Sequence, residues 1–125
     1  MWEKLKLIRL LPYRVEKRPS AINGTIEVWR WLNQLSLRVS GLTQSGGLME
    51  EIWGKTLKTV YSHQLPVNRV LILGLGGGTA ARVVKKYWPE ARITGVEIDP
   101  VMVDLGKEYL NLSEIKQLTI VKGEA

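Results

Sequence analysis

Apolar and polar residues alternate through the first 40 positions of the chain, then the period lengthens, and near the middle it collapses into a continuous apolar run. Lys4-Leu5-Lys6-Leu7-Ile8-Arg9-Leu10-Leu11 approximately alternates, which predicts an edge strand with one wet face. Pro12 interrupts it, and Lys17-Arg18-Pro19-Ser20 reads as a connector. Thr25 to Trp31 and Leu35 to Val39 alternate again about a turn near Asn33-Gln34, the pattern of a β-hairpin in which Leu35, Leu37 and Val39 share a face. Gly41 and Gly46-Gly47 then bracket Leu42-Thr43-Gln44-Ser45, a glycine-flanked loop. From Leu48 the period is helical: Leu48, Met49, Ile52, Trp53, Leu57, Val60 and Tyr61 make one stripe, ended by His63-Gln64-Leu65-Pro66.

The continuous run is Val70-Leu71-Ile72-Leu73, apolar on both sides as a central parallel strand would be. It leads into Gly74-Leu75-Gly76-Gly77-Gly78 and a helix with Ala80, Val83, Val84, Tyr87 and Trp88 on one side, stopped by Pro89. A second strand, Arg92 to Val96, ends at Glu97, and Asp99-Pro100 opens another helix with an N-cap side chain and a proline at the first helical position. Met102, Leu105 and Tyr109 of that helix are expected against the sheet, before a third strand, Leu118 to Val121, and Gly123-Glu124-Ala125. The order predicts an α/β fold: the first half of a doubly wound, Rossmann-like parallel sheet preceded by a small antiparallel β-domain. The divisions fall at 1–47 for the β-domain, 48–65 for a connecting helix and 66–125 for a partial nucleoside-binding domain.

The glycines are where chemistry enters. They remove Cβ atoms that would block a ligand and permit positive φ, while free N–H groups of the following helix face the same space. Glu97 stands twenty-three residues after Gly74, where an acid can accept both ribose hydroxyls of a nucleoside. Gln44 and Ser45, in the loop before the first helix, are placed to overhang such a pocket. Three other readings stay open. The turn can serve only close packing of helix on sheet; it can belong to an NAD-binding oxidoreductase, although two spaced residues usually precede that fingerprint's third glycine; or the chain can be a non-catalytic assembly module pairing through its tryptophan-rich hairpin.

Composition narrows the choice. The chain has 125 residues, 45% of them hydrophobic, enough for one core, and it contains no cysteine and a single histidine, His63. Disulfides, thiolate chemistry and a histidine-rich metal site are thereby excluded, and His63 is expected exposed at a helix end. No apolar run has the length of a membrane span, so the expected location is cytoplasmic, away from membrane. The net charge is +6, and residues 1–65 hold ten Lys/Arg against five Asp/Glu, five of the six excess charges. These charges are scattered among strand residues and form no block, which argues for a solvated face rather than a nucleic-acid surface. Trp29 and Trp31 are read as packing or dimer-surface residues.

Val70 to Pro100, carrying GLGGGTAAR and VEIDP, together with Gly123-Glu124-Ala125, resembles the spermidine synthase group, the polyamine aminopropyltransferases, and their relatives among the S-adenosylmethionine-dependent methyltransferases. The resemblance implies a co-substrate, S-adenosylmethionine or decarboxylated S-adenosylmethionine, and as acceptor a small-molecule amine or other nucleophile. It implies that Gly74, Gly76 and Gly78, with Leu75, Gly77 and Thr79, form the turn under the methionine or aminopropyl portion. Glu97 would hold the ribose, Ile98 would pack on the adenine, and Glu124 and Ala125, with Gln44, would complete the pocket. A homodimer through the β-domain is implied in the same way.

The sequence departs from that group in three places. Gly77 stands where the group has an acid that would attract a cationic aminopropyl end and repel a carboxylate, so S-adenosylmethionine becomes as good a candidate as its decarboxylated form. Glu124 stands where the group has an aspartate. Glu50 and Glu51 occupy the region of a Tyr-His pair. The group's catalytic acid follows a fourth strand and has no counterpart here, and Glu50, Glu51 and Asp104 earn no assignment, which leaves the catalytic residues unknown. Without a fourth strand, Val70 to Leu73 would be an exposed edge. The expectation is therefore the front part of a larger transferase, or a chain whose edge a partner or its own β-domain covers.

Overall fold

The computed structural model describes residues 10–125. Among the described residues, seven strands fall into two sheets. Strands β1 (Tyr13–Ser20), β2 (Gly24–Trp31), β3 (Gln34–Val39) and β4 (Leu42–Gly46) form an antiparallel meander in sequence order. Helix α1 (Leu48–Ser62) leads to a parallel sheet of β5 (Arg69–Leu73), β6 (Arg92–Glu97) and β7 (Leu118–Lys122), in the order β5-β6-β7. The crossovers are helix α2 (Thr79–Tyr87) and helix α3 (Pro100–Tyr109), the latter followed by a 3₁₀ turn, Leu112–Glu114. The expected class is what the chain adopts.

The hairpin forms over the expected residues, but its two-residue loop is Leu32-Asn33, since Trp31 pairs with Gln34. Val39 pairs with Leu42 across Ser40-Gly41, both with positive φ, the geometry that matches the twist of a tight hairpin. Ile26, Val28 and Leu37 of the inner face are wholly buried, with Leu35 and Val39 beside them.

Several expectations need correction. Most of the strand expected over Lys4 to Leu11 lies outside the described residues; Leu10 and Leu11 are turn and bend. The Lys17–Ser20 connector is the second half of β1. Its inward positions, Glu16, Arg18 and Ser20, are polar and meet polar partners, so no hydrophobic alternation marked the strand. Pro19 is tolerated because β1 lies at the sheet edge. The Leu42–Ser45 loop is β4, and its extra residue against β3 is Gln44: Leu37 pairs with Ser45, but Arg38 pairs with Thr43. That bulge turns Ser45 inward and hides the period of two. Helix α1 has no fully buried residue. Met49, Trp53 and Leu57 are half-covered, whereas Leu48 and Ile52 are exposed, because α1 packs along α2 and β4 rather than over a sheet. Met102 and Leu105 of α3 face the antiparallel sheet, joining Ile26, Val28 and Leu37; Val103 faces the parallel one.

In the parallel sheet, Val70, Ile72, Ile93, Leu118 and Ile120 look toward α2 and the 3₁₀ turn, with Leu75, Ala81, Val84 and Leu112. β5 is an edge strand, as expected for a strand with no fourth neighbour, and Leu71 and Leu73 on its other face are 62% and 61% exposed. His63 is exposed as the C-cap of α1. Among the described residues no helix is long and apolar enough to cross a membrane.

Candidate nucleoside site

The glycine turn sits on the carboxyl end of β5 and is tied to its neighbour: Gly74 N–H and Leu75 N–H both donate to the carbonyl of Val96, at 2.9 and 2.8 Å. Gly74, Gly76 and Gly78 take φ of 78, 60 and 94°, the left-handed region that side chains resist. Gly77 has ordinary φ and is glycine for another reason. A Cβ there would lie 2.7 Å from Leu110 Cδ1, 2.9 Å from Leu37 Cδ1 and 3.0 Å from Ser45 Cβ. The run of glycines thus answers two demands, chain reversal at alternate positions and close packing between them. A Cβ at Gly74 would meet nothing within 4 Å, so the turn's first residue faces open space.

Glu97 ends β6 beside this turn. Its Oε2 accepts the Gly76 N–H at 2.7 Å and its Oε1 accepts the Asp99 N–H at 3.0 Å. A carboxylate has about four lone-pair sites, so its acceptor capacity is only half used. Gly123 N–H donates to the Glu97 carbonyl at 3.2 Å, which brings Glu124 and Ala125, both exposed, to the same sheet end. Ile98 is half-buried there. Gln44 is exposed; its carbonyl oxygen lies 3.9 Å from the Cβ position of Gly76.

Some candidate residues have structural occupations. Leu75 is buried in the core, filling the space above Gly95. The Thr79 hydroxyl accepts the Gly46 N–H at 2.7 Å, and Ser45 Oγ accepts the Gly77 N–H at 2.7 Å. These two buried bonds point in opposite directions across the interface, so β4 and the glycine turn hold each other. Their side chains and the Gly77 N–H are spent on this union, and the Gly76 N–H is spent on Glu97, which leaves the open side of Gly74, the rest of the Glu97 carboxylate, Ile98 and the Gly123 segment as the open part of the site.

Asp99 anchors the union from the other side. It caps α3 through the Val101 N–H at 2.9 Å, with Pro100 at the first helical position as expected. Its other oxygen accepts from Ser20 Oγ and Asn23 Nδ2, in the turn after β1. Burial alone would push the Asp99 carboxyl up; hydrogen bonds from Ser20, Asn23 and the Val101 and Met102 N–H groups outweigh it and hold it below its ordinary value. The N-cap was legible, the Ser20 and Asn23 partners were not. Gly95 and Gly106 were also overlooked, and a glycine inside a strand or helix is a signal of close approach. A Cβ on Gly106 would lie 2.8 Å from the Gly77 Cα.

A βαβ unit with a glycine turn and a strand-end acid, docked on an antiparallel meander, defines the class: a Rossmann-like fold with an N-terminal β-domain. No protein-family model matches the chain. It is 47% identical over 58 residues to the probable polyamine aminopropyl transferase of Bifidobacterium longum, a match covering 46% of this chain and 13% of that protein. It is 42% identical over 52 residues to the eEF1A lysine and N-terminal methyltransferase homolog of Drosophila melanogaster, covering 42% of this chain and 8% of that one. The spermidine synthase of Thermotoga maritima superposes with a TM-score of 0.71 at 20% identity, over 89% of this chain and 41% of that structure. The chain therefore resembles the spermidine synthase-like group and shares its fold, while spanning less than half the length of the proteins it is matched with.

Proposed function

We propose that the protein binds S-adenosylmethionine or its decarboxylated form at the carboxyl end of the parallel sheet, as the co-substrate half of a transferase of the spermidine synthase class. The observation that carries this is Glu97, held by the Gly76 N–H at 2.7 Å with lone pairs to spare for ribose hydroxyls. The open face of Gly74, the half-buried Ile98 and the Gly123-Glu124-Ala125 segment support it as surroundings for sugar, adenine and methionine portions. The division into a β-domain at 1–47, a connecting helix at 48–65 and a nucleoside-binding domain at 66–125 belongs to the same reading.

In such a reaction a nucleophile, an amine in the simplest case, attacks a carbon bonded to the sulfonium sulfur, and that carbon–sulfur bond breaks with its electron pair leaving on sulfur. The sulfonium supplies the leaving group, so the protein's work is alignment and removal of the amine proton. The residues named here perform the first task. Gly77 bears on which sulfonium is used: its Cβ direction meets Leu37, Ser45 and Leu110, which supports S-adenosylmethionine, since no acid at this position selects the cationic aminopropyl end.

The test is calorimetric titration with S-adenosylmethionine, decarboxylated S-adenosylmethionine, methylthioadenosine and NAD, repeated on Glu97→Ala. The expected result is binding of methylthioadenosine and at least one sulfonium, weakened roughly 10- to 100-fold by the substitution, the worth of charged hydrogen bonds. Binding of NAD alone would sink the proposal.

A further inference from the structure

We infer that Ser20 and Asn23, in the turn between β1 and β2, are positioning residues for Glu97, so that the β-domain sets how firmly the parallel sheet holds a ribose; the inference rests on the proposed function. A chain of hydrogen bonds through Asp99 joins that turn to the glycine turn. The Ser20 hydroxyl and the Asn23 Nδ2 both donate to Asp99 Oδ2. The Asp99 N–H donates to Glu97 Oε1 at 3.0 Å, and Glu97 Oε2 accepts the Gly76 N–H at 2.7 Å. The two oxygens of Asp99 divide the work: Oδ1 caps α3 through the Val101 N–H at 2.9 Å, and Oδ2 carries the link to the β-domain.

Each link before Glu97 has little freedom. Asp99 is wholly buried, with backbone angles of φ −95° and ψ 105° just ahead of α3. Ser20 is buried as well; its Oγ accepts the Ile22 and Asn23 N–H groups at 3.1 and 3.0 Å and gives its one proton to Asp99. The turn thus closes over its own hydroxyl, and the Asn23 carboxamide reaches the same carboxylate oxygen. Glu97 is the flexible member. It is half-buried at the end of β6, and its two oxygens are held by different elements, one by Gly76 after β5 and the other by Asp99 before α3. A carboxylate held before a ligand arrives loses less freedom on binding than one ordered at that moment. The turn fixes Asp99, and the Asp99 N–H fixes the Glu97 oxygen that the glycine turn does not.

Nuclear magnetic resonance of the ¹⁵N-labelled chain and calorimetric titration with methylthioadenosine test this in the parent, in Asn23→Ala and Ser20→Ala, and in Arg18→Ala, a control that removes an ion pair from the same strand. In the ligand-free chain Asn23→Ala should move the Gly76 amide proton upfield as its bond to Glu97 lengthens, although Gly76 bonds Glu97 and not the turn. Affinity should fall roughly 3- to 10-fold in Asn23→Ala and in Ser20→Ala, the worth of ordering one flexible side chain, and change by less than about twofold in Arg18→Ala. Because the turn acts through Glu97, adding Asn23→Ala to Glu97→Ala should weaken binding by less than about twofold further. A purely structural turn would cost the same in both backgrounds. If Asn23→Ala does not fold, Asn23→Ser is read in the same way. An unmoved Gly76 signal, unchanged affinity in Asn23→Ala, or equal losses with and without Glu97 would overturn the inference and leave the proposed function standing. A parent that binds neither methylthioadenosine nor a sulfonium would overturn the proposed function and this role with it.

Discussion

The two sheets of this protein are finished to different degrees. The antiparallel sheet buries the centre of its inner face, with Ile26, Val28 and Leu37 at 0% exposure beneath α3. Among the described residues the parallel sheet is covered on one face only; on the other, Leu73 of β5 is in register with Val96 of β6 and Val121 of β7, Leu71 is in register with Thr94 and Thr119, and Val121 is 44% exposed. The comparison teaches where a site can be. On the finished side Ser45 answers the Gly77 N–H and Thr79 answers the Gly46 N–H, so both hydroxyls are committed. At the open end of the parallel sheet, Gly74 and half of the Glu97 carboxylate remain available.

The sharpest way to break the contrast is to force a side chain into the finished side. Gly106→Ala drives a Cβ against the backbone of Gly77, and Gly77→Asp drives a carboxylate among Leu37, Ser45 and Leu110. Each should lower the unfolding free energy by about 3 kcal/mol or more, read from the denaturant midpoint. Gly77→Asp is thus expected to cost folding before it can bring selectivity for a cationic ligand.

Asp99→Ala comes next. It leaves Ser20, Asn23 and the Val101 N–H without their acceptor at a buried position, a loss of about 2 to 3 kcal/mol. The same substitution should alter the acid limb of the stability profile. The Asp99 carboxyl is held below its usual 3.8 in the folded state, so it stabilises the fold above that pH and the contribution is lost as pH falls through the folded value. Glu108, lowered by its hydrogen bond from Arg18, acts in the same direction. Tyr109 acts in the opposite one. Its O–H donates to Glu16 at 2.8 Å, the phenol is raised above 10.0, and the stability this gives is present below that pH and lost as pH rises through the folded value. Thermal melts across pH should fall at both ends, with the acid limb flattened in Asp99→Ala.

Ser45→Ala sharpens the comparison at lower cost. It orphans the buried Gly77 N–H and should lower stability by about 1 to 2 kcal/mol in denaturant titrations. The smallest effect is expected from Arg18→Ala. Arg18 bonds Glu108 at 2.8 Å with both side chains in contact with water, so the melting midpoint should fall by under about 4 °C, and less in high salt.

How much of this was legible in the sequence depended on what each residue faces. The glycine turn, Glu97 and the Asp99-Pro100 cap were readable because each is a local backbone device with a fixed spacing. The hairpin was readable because Leu35, Leu37 and Val39 face one apolar neighbour. β1 was not, since Glu16, Arg18 and Ser20 face polar partners some 80 or 90 positions away. β4 was not, since one extra residue at Gln44 reverses the alternation. The buried stripe expected on α1 failed for a related reason: periodicity names an apolar face, and only the packing of α2 and β4 decides how much of it is covered. Which glycine turns the chain and which makes room is also invisible in GLGGG. Gly77 is set apart by an ordinary φ and by contacts distant in sequence, Leu37 forty residues upstream and Leu110 thirty-three downstream.

The paired bonds from Gly46 to Thr79 and from Gly77 to Ser45 have a consequence for inheritance. Each half of the protein supplies one donor and one acceptor, so a half exchanged for that of a relative keeps both bonds only when both hydroxyls travel in register. A chimera joined in the segment after α1 should assemble best when residues 45, 46, 77 and 79 keep this reciprocal pairing, Leu37 keeps its place against Gly77, and Asp99 keeps Ser20 and Asn23. One joined without it would bring together two well-made halves that no longer fit.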